Sequence, residues 1–312
     1  MRRILLVANP AASGFTGALH RDVVTILSGA FDVTKVWPDG PAEAREVAAD
    51  AAGDGFGAVV AMGGDGVVHH VANGLVHSTT ALGIVPAGTT NVLARIYGVP
   101  HKARRAAEML TNETAVPVPV AHVATESATA ARSEYALFSL GVGFDADVVT
   151  AADASPHSKL WFGSLHYARS VLGQALGAYR GRPANLRVEC AGDSVDAVAA
   201  FVQIHDLYTY FGMVPIALST TPSVGLTAAA VERVSVPVIA SVAGRIATRR
   251  DMAQSRGAHV WHDFPKLVVH AEPAAPFQAD GELLGTTDGL EITPEPGALL
   301  VIRPREDAPP PE

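Results

Sequence analysis

The sequence predicts an α/β domain built on a doubly wound parallel sheet, followed by a mainly antiparallel β domain, and three observations carry that reading. Short apolar runs alternate strictly with helix-like segments through the first third of the chain. Turns bearing glycine or proline follow three of those runs, at Asn9–Gly14, Gly63–Gly66 and Pro86–Asn91. After about Pro117 the pattern changes to Val-, Thr- and Ala-rich segments bounded by Gly and Pro. Strict strand–helix alternation implies right-handed crossovers and a parallel sheet, whereas short bounded strands imply antiparallel pairing.

Ile4–Ala8 is an unbroken apolar run, as expected of a strand buried on both faces. A helix is expected over Thr16–Ser28, a strand over Phe31–Val36 and a helix over Ala42–Ala52. Ala58–Met62, again apolar throughout, is the third strand, followed by a helix over Val67–His77, a strand over Leu82–Pro86 and a helix over Asn91–Tyr97. Strands of the second domain are expected at Tyr135–Gly141, Asn185–Cys190, Ala197–Ile204, Gly225–Val231, Lys266–His270 and Leu299–Ile302. Lys159–Tyr179 stands apart, because Leu160, Trp161, Leu165, Ala168, Leu172, Ala175, Leu176 and Tyr179 recur at near-helical spacing.

With 312 residues the chain is long enough for two domains, each with its own core. A hydrophobic share of 48% against 17% charged residues excludes a disordered chain. The net charge of −8, with no long basic block, argues against nucleic acid as a partner. Cys190 is the single cysteine, which leaves no intramolecular disulfide and fits a reducing, cytoplasmic compartment. The opening MRRILLVANP holds too short an apolar run for a signal peptide or a membrane span, and no other stretch reaches spanning length, so membrane contact is expected to be peripheral. The tail Asp307–Glu312 is expected to be disordered.

The densest signal is Met62–Leu75, MGGDGVVHHVANGL. Gly63, Gly64 and Gly66 fall at the carboxyl end of an expected parallel strand, where open α/β sheets bind ligands. Glycines let a ligand approach the main chain, and a helix opening near Val67 would aim free N–H groups at an anion. Asp65 is then a carboxylate beside a phosphate, an arrangement that makes sense with a metal ion between them. A ligand-free strand-to-helix turn is the plainer alternative. The other two turns share the same sheet edge, which favours a nucleotide pocket.

The order of motifs resembles the diacylglycerol kinase catalytic family, which includes bacterial lipid kinases and sphingosine kinases. Those motifs are Asn9-Pro10-Ala11-Ala12-Ser13-Gly14, Gly63-Gly64-Asp65-Gly66, Pro86-Ala87-Gly88-Thr89-Thr90-Asn91, Gly141-Val142-Gly143-Phe144-Asp145-Ala146 and Asp280-Gly281-Glu282. The resemblance implies a nucleotide-binding domain at about residues 1–120, joined by a C-terminal return at about 290–312, and a lipid-holding β-sandwich at about 121–289. It also implies ATP and Mg²⁺ as cofactors. Asn9, Pro10, Ser13, Gly63, Gly64, Asp65, Gly66, Gly88, Thr89 and Asn91 would contact ATP, with Asp65 meeting Mg²⁺ through the nucleotide. Glu282 would be the general base that draws a proton from a lipid hydroxyl as it attacks the γ-phosphorus. A carboxylate near a triphosphate has its ionised form disfavoured, which suits it to accept a proton. On its own residues Glu282 also reads as part of an Asp-Gly hairpin turn, with Asp280 shaping that turn.

Departures from the family pattern bear on activity. Where the family reads GGDGT followed by an Asn-Glu pair, this chain has Val67, His69 and His70. Val67 lacks a hydroxyl, and losing one transition-state donor costs about 10² to 10³ in rate. His69 and His70, about 100° apart on a helix, do not chelate one ion, so packing or hydrogen bonding is expected of them. Val92 follows Asn91 where an Asp is usual, and no carboxylate precedes Gly225, so the family's second, structural Mg²⁺ site is not expected here; the role of nearby Asp206 stays open.

The expected partner is a lipid at a membrane surface, with a homodimer left open. Lys159, Arg169, Arg180 and Arg182 beside Trp161, Phe162 and Tyr167 have a composition suited to an anionic surface, although core packing explains the apolar residues equally. Arg245, Arg249, Arg250 and Arg256 near Trp261 form a second basic cluster, equally readable as a solvated loop. The functional expectation is an ATP- and Mg²⁺-dependent lipid kinase acting on a hydroxyl such as that of diacylglycerol. The alternatives are a kinase-derived paralogue that binds nucleotide or lipid without turnover, and a kinase for a sphingoid base or a small soluble alcohol.

Overall fold

The computed structural model describes residues 2–127, 130–153, 173, 177, 179, 181–211, 214–219, 221, 223–235, 237–238, 241, 244–245, 255 and 257–304. The expected helix Lys159–Tyr179 and the membrane-suited segment around it lie largely outside these residues, as do Arg249, Arg250, Arg256 and the tail. The chain divides into two compact units, one of residues 1–119 with 296–312 and one of Val120–Glu295.

In the first unit the chain runs β1 (Arg2–Ala8), α1 (Gly17–Ser28), β2 (Phe31–Val36), α2 (Pro41–Gly53), β3 (Ala58–Gly63), α3 (Asp65–Leu75), β4 (Ala81–Pro86), α4 (Val92–Ile96) and α5 (Ala103–Asn112). Local chemistry sets the boundaries. Thr16 caps α1 by accepting the Leu19 N–H at 3.1 Å, and Pro41 opens α2, where its missing N–H is no loss. β3 and β4 are buried at every position, as their unbroken apolar sequences require. β1 pairs in parallel with β2 and β3, and β3 with β4. Val301, near the end of β16 (Glu282–Ile302), pairs in parallel with Leu82 of β4.

Alternate residues Ile4, Leu6, Ala8, Ala58, Val60 and Met62 pack in one core with Val23 and Leu27 of α1 and Ala103, Ala107 and Leu110 of α5. α2 and α3 pack together and against β1 and β3. The sheet is therefore doubly wound, and because β1 leads to β2 on one side while β3 lies on the other, the chain reverses its winding direction between β1 and β3. The crevice outside the carboxyl ends of those two strands is where such sheets bind ligands.

The second unit is mostly antiparallel. It holds parts of β5 (Ala115–Ser127) and β16, together with β6 (Ala130–Ala136), β7 (Ser139–Gly143), α6 (Phe144–Asp153), β8 (Leu186–Cys190), β9 (Asp193–Ala197), β10 (Ala199–Gln203), β11 (Thr209–Phe211), β12 (Val214–Ile216), β13 (Thr227–Val231), β14 (Ala258–His262) and β15 (Leu267–Ala279). β14, β13, β10, β7 and β15 are hydrogen-bonded neighbours in that order, all antiparallel. β15 pairs with β8 over Leu267–Ala271 and with β7 over Phe277–Ala279, so one long strand serves two sets of neighbours. Its inward residues Leu267, Val269, Phe277 and Ala279 join Leu140, Val142, Val188 and Val202 in the core.

Two sequence expectations change here. The single strand expected over Tyr135–Gly141 is two strands, β6 and β7, because the backbone between them turns to bond a buried carboxylate described below. The helices α5 and α6 were not anticipated; α6 begins at Phe144, within a segment read only as a motif.

Candidate active site

In the first unit, hydrogen bonds tie the turns after β1, β3 and β4 to one another. The Asn9 N–H donates to Met62 O at 3.0 Å, the Ala87 N–H to Gly63 O at 2.8 Å and the Gly14 N–H to Ala87 O at 2.8 Å. The hydroxyls of Ser13 and Thr89 lie 3.1 Å apart. Asn9 Oδ1 accepts the Ala11 N–H at 2.9 Å, the local bond that lets Asn start a turn. Asn91 sits in the left-handed region, at φ 48°, and closes its own loop: its Nδ2 donates to Gly88 O at 2.8 Å and its Oδ1 accepts the Gly88 N–H at 3.0 Å.

Close approach explains the glycines. A Cβ on Gly88 would lie 2.6 Å from the Gly64 Cα, so the turns after β3 and β4 touch through bare backbone. Asp65, the first residue of α3, reaches across to α4, where Oδ2 accepts the Val92 N–H at 2.9 Å and Oδ1 the Leu93 N–H at 3.0 Å. The side chain of Asn91 makes no cap bond to α4, and that role falls to Asp65. Gly64, the N-cap residue of α3, contributes no side-chain cap, and the helix N-terminus that follows it carries main-chain donors and the positive end of the helix dipole. Asn9, Pro10, Ser13, Gly63, Gly64, Asp65, Gly66, Gly88, Thr89 and Asn91 all lie on these three turns or on the first residues of α3.

The residues that depart from the family pattern belong to the packing. Val67 is buried, and a Cβ on Gly63 would meet its Cγ1 at 2.3 Å. His69 is fully buried; Asn73 Nδ2 donates to its carbonyl oxygen at 3.0 Å and lies 3.5 Å from its Nε2. The His69 and His70 rings meet edge to face, with centroids 5.0 Å apart. These contacts account for His69 as a packed and hydrogen-bonded residue and for His70 as a ring packed against it.

Glu282 lies in the second unit, at the first position of β16, half-buried. Ala279 pairs with Glu282 across a two-residue turn, and Asp280 and Gly281 take φ values of 55° and 84°. Positive φ at both central residues is the hairpin geometry that Asp-Gly favours. Asp280 does more than shape the turn. Its buried carboxylate accepts the N–H groups of Leu137, Phe138 and Ser139 at 2.8 to 3.1 Å, and its own N–H donates to Ser139 O at 2.8 Å. That anchor divides β6 from β7.

A second buried acid, Asp145, was read from sequence only as part of a motif. Its Oδ2 accepts the Tyr208 hydroxyl at 2.7 Å and Gln278 Nε2 at 2.7 Å, and Gln278 Oε1 accepts the Gly281 N–H at 2.8 Å. Burial pushes the Asp145 carboxyl above its ordinary value, and the bonds from Tyr208 and Gln278 oppose that shift without cancelling it. A Cβ on Gly141 would lie 2.0 Å from Asp145 Oδ2, so a glycine four residues before the acid makes room for it. That spacing, visible in the sequence, was the available signal for Asp145; nothing local pointed to Tyr208 or Gln278.

Around Gly225, where the family pattern has an acid, a different carboxylate organises the loop. Asp263 Oδ1 accepts the Ser223 hydroxyl at 2.7 Å and the Gly225 N–H at 2.6 Å. These two bonds, Ser223 first, hold the exposed Asp263 carboxyl below its ordinary range. Among the described residues no three His, Cys, Asp or Glu side chains converge as a metal site, and no helix is long and apolar enough to cross a membrane.

Residues 3–123 match the family model described as the diacylglycerol kinase catalytic domain. A diacylglycerol kinase of Bacillus subtilis is 37% identical over 84 residues, which is 26% of this chain and 28% of that protein. A diacylglycerol kinase of Mycobacterium tuberculosis is 26% identical over 297 residues, covering 92% of this chain and 90% of the relative. The crystal structure of a diacylglycerol kinase from Bacillus anthracis superposes with a TM-score of 0.69 at 19% identity, covering 98% of both chains, and so shares the fold. Residues 3–123 are thus similar to a diacylglycerol kinase catalytic domain, and nearly the whole chain is similar to a diacylglycerol kinase.

Proposed function

We propose that this chain transfers the γ-phosphoryl group of ATP to the hydroxyl of a lipid, diacylglycerol in the first place. The observation that carries this reading is the interlocked set of turns after β1, β3 and β4, where Gly64 and Gly88 meet through bare backbone and the N-terminus of α3 follows. A side chain at Gly88 would collide with the Gly64 backbone and force apart the turns whose main-chain N–H groups take up phosphate charge in this reading. The Ser13 and Thr89 hydroxyls, 3.1 Å apart, supply further donors.

Asp65 is the acid of this edge and the residue that would meet Mg²⁺ through the nucleotide. When bound, Mg²⁺ neutralises charge on the phosphate oxygens. By gripping the first two amides of α4, Asp65 also fixes the turn that holds Gly88 and Thr89. Glu282, set at the start of β16 by the Asp280–Gly281 turn, acts as the general base. It takes the proton from the lipid hydroxyl while that oxygen bonds to the γ-phosphorus and ADP leaves. The acceptor is met at a membrane surface, by peripheral contact. The test is phosphate transfer from radiolabelled ATP to diacylglycerol, sphingosine, ceramide and phosphatidylinositol in mixed micelles. Labelled phosphatidic acid is the expected product, and label on another lipid would reassign the acceptor.

A second reading has an observation of its own. Val67 takes the place of a threonine and is packed against Gly63, which leaves that position of the site without a hydroxyl. A binding protein with little turnover fits that feature, and ATP binding without transfer to any lipid or soluble alcohol would establish it.

A further inference from the structure

The turn that presents Glu282 is held from two sides. Asp280 fixes one side through three backbone N–H groups, and the other side hangs on one side chain, Gln278. Gln278 is 2% exposed, and both ends of its amide are engaged. Nε2 donates to Asp145 Oδ2 at 2.7 Å and lies 3.2 Å from the Tyr208 hydroxyl, while Oε1 accepts the Gly281 N–H at 2.8 Å. Only a side chain with a donor and an acceptor on one carbon, at glutamine's length, spans those two groups. Glutamate would bring a second carboxylate against Asp145, asparagine is one methylene short, and methionine keeps the length without either bond.

A buried amide of this kind resists rotation, because turning it over would set its donor against the Gly281 N–H and its acceptor against the Asp145 carboxylate. Both bonds would be lost in a buried site, where unpaired polar groups are costly. Gly281 is the residue immediately before Glu282, so the bond fixes the Asp280–Gly281 peptide plane in the turn from which the glutamate departs. We propose that Gln278 is a positioning residue for Glu282: by bridging the buried Asp145–Tyr208 pair to the Gly281 amide, it holds the glutamate carboxylate where it can take a proton. This rests on the reading of Glu282 as the base.

The test compares the wild-type protein with Gln278→Met, Glu282→Gln, the double variant and Tyr208→Phe, in the mixed-micelle transfer assay and by hydrogen exchange at the Gly281 amide. Tyr208→Phe removes a bond from the same buried acid but leaves the tether to Gly281, so it separates loss of the network from loss of the tether. Misplacing a catalytic group by about 1 Å costs about 10²-fold in rate. Gln278→Met is therefore expected to lower kcat by about that factor with KM for ATP within about twofold. The double variant is expected to be no slower than Glu282→Gln alone, since a residue that acts through Glu282 has nothing to position once the base is gone. Tyr208→Phe should retain most of kcat. Exchange at Gly281 should quicken roughly fivefold in Gln278→Met, the effect of one lost hydrogen bond.

Additive losses in the double variant, equal losses in Tyr208→Phe, or a kcat within about threefold of wild type in Gln278→Met would each overturn the proposal. If Gln278→Met does not fold, Gln278→Asn serves in its place, too short to hold both partners. Wild-type-like turnover in Glu282→Gln would refute the base assignment and with it this role. Absence of transfer by the wild type would refute the kinase reading instead, and the Gly281 exchange rate then decides: unchanged exchange overturns the tether, and faster exchange supports it.

Discussion

A methyl group of Val67 fills the space above Gly63: a Cβ placed on Gly63 would come within 2.3 Å of Val67 Cγ1. Valine and threonine are nearly the same shape, so Val67→Thr fits the same space and adds a hydroxyl beside the Gly63–Gly66 turn proposed to bind phosphate. A transition-state donor is worth about 10² to 10³ in rate. The expected outcome is a kcat raised at least about tenfold, with about 1 kcal/mol lost from stability for the partly buried hydroxyl. Steady-state transfer and urea unfolding measure the two effects, and an unchanged kcat would show that the site has adapted to valine.

Gly88→Ala tests the cradle. The added Cβ would lie 2.6 Å from the Gly64 Cα and 2.9 Å from Asn91 Oδ1, and the first of these is backbone that cannot swing aside. The turns after β3 and β4 must part, at a strain of about 1–3 kcal/mol. ATP affinity, measured by calorimetry, is expected to fall at least about tenfold while the fold persists.

Asp280→Ala removes the acceptor shared by the N–H groups of Leu137, Phe138 and Ser139. Leaving buried donors unsatisfied costs about 1–3 kcal/mol each, so a loss of several kcal/mol is expected in chemical unfolding. Asp280→Asn keeps one acceptor and tolerates the positive φ, and should lose less. Equal losses in the two variants would mean that the intact carboxylate, with its charge and both oxygens, carries the stability, and that neither the turn conformation nor a single acceptor suffices.

Asp145 gives a pH dependence with a definite sign. Its carboxyl ionises near 3.8 in an unfolded chain and at higher pH in the folded protein, with burial as the main cause. Above 3.8 the unfolded state has lost a proton that the folded state retains, so this group's contribution lowers stability as pH rises. The fall ends once the folded-state carboxyl has ionised. Asp145→Asn does not titrate, so its stability relative to wild type is expected to rise as the pH is raised above 3.8. Melting temperatures across that range measure it, and a difference that is flat or reversed in pH would contradict the raised value.

The legibility of the fold follows burial. β3 and β4, apolar at every position because both faces are covered, were readable to within one residue, and so were the turns at Asn9–Gly14 and Pro86–Asn91, where Gly, Pro and Asn do local work. α5 was missed because only Ala103, Ala106, Ala107 and Leu110 are buried, a narrow stripe of small residues between charged ones. The break between β6 and β7 depends on Asp280, more than a hundred residues later in the chain, and no local pattern announces such a partner. The same holds for the bonds among Asp145, Tyr208 and Gln278, whose separations in sequence are 63 and 133 residues from Asp145. Asp65 was read as an acid beside phosphate, and its geometry adds a second task, capping α4, that sequence spacing did not express.

The most direct test of the account is transfer of label from ATP to diacylglycerol in mixed micelles with Mg²⁺, run beside Glu282→Gln with ATP binding measured on both proteins. The account predicts labelled phosphatidic acid from the wild type, at least about 10³-fold less from the variant, and equal ATP affinity, as expected for loss of a general base. Equal turnover by the two proteins, or wild-type silence toward every acceptor despite ATP binding, would contradict it.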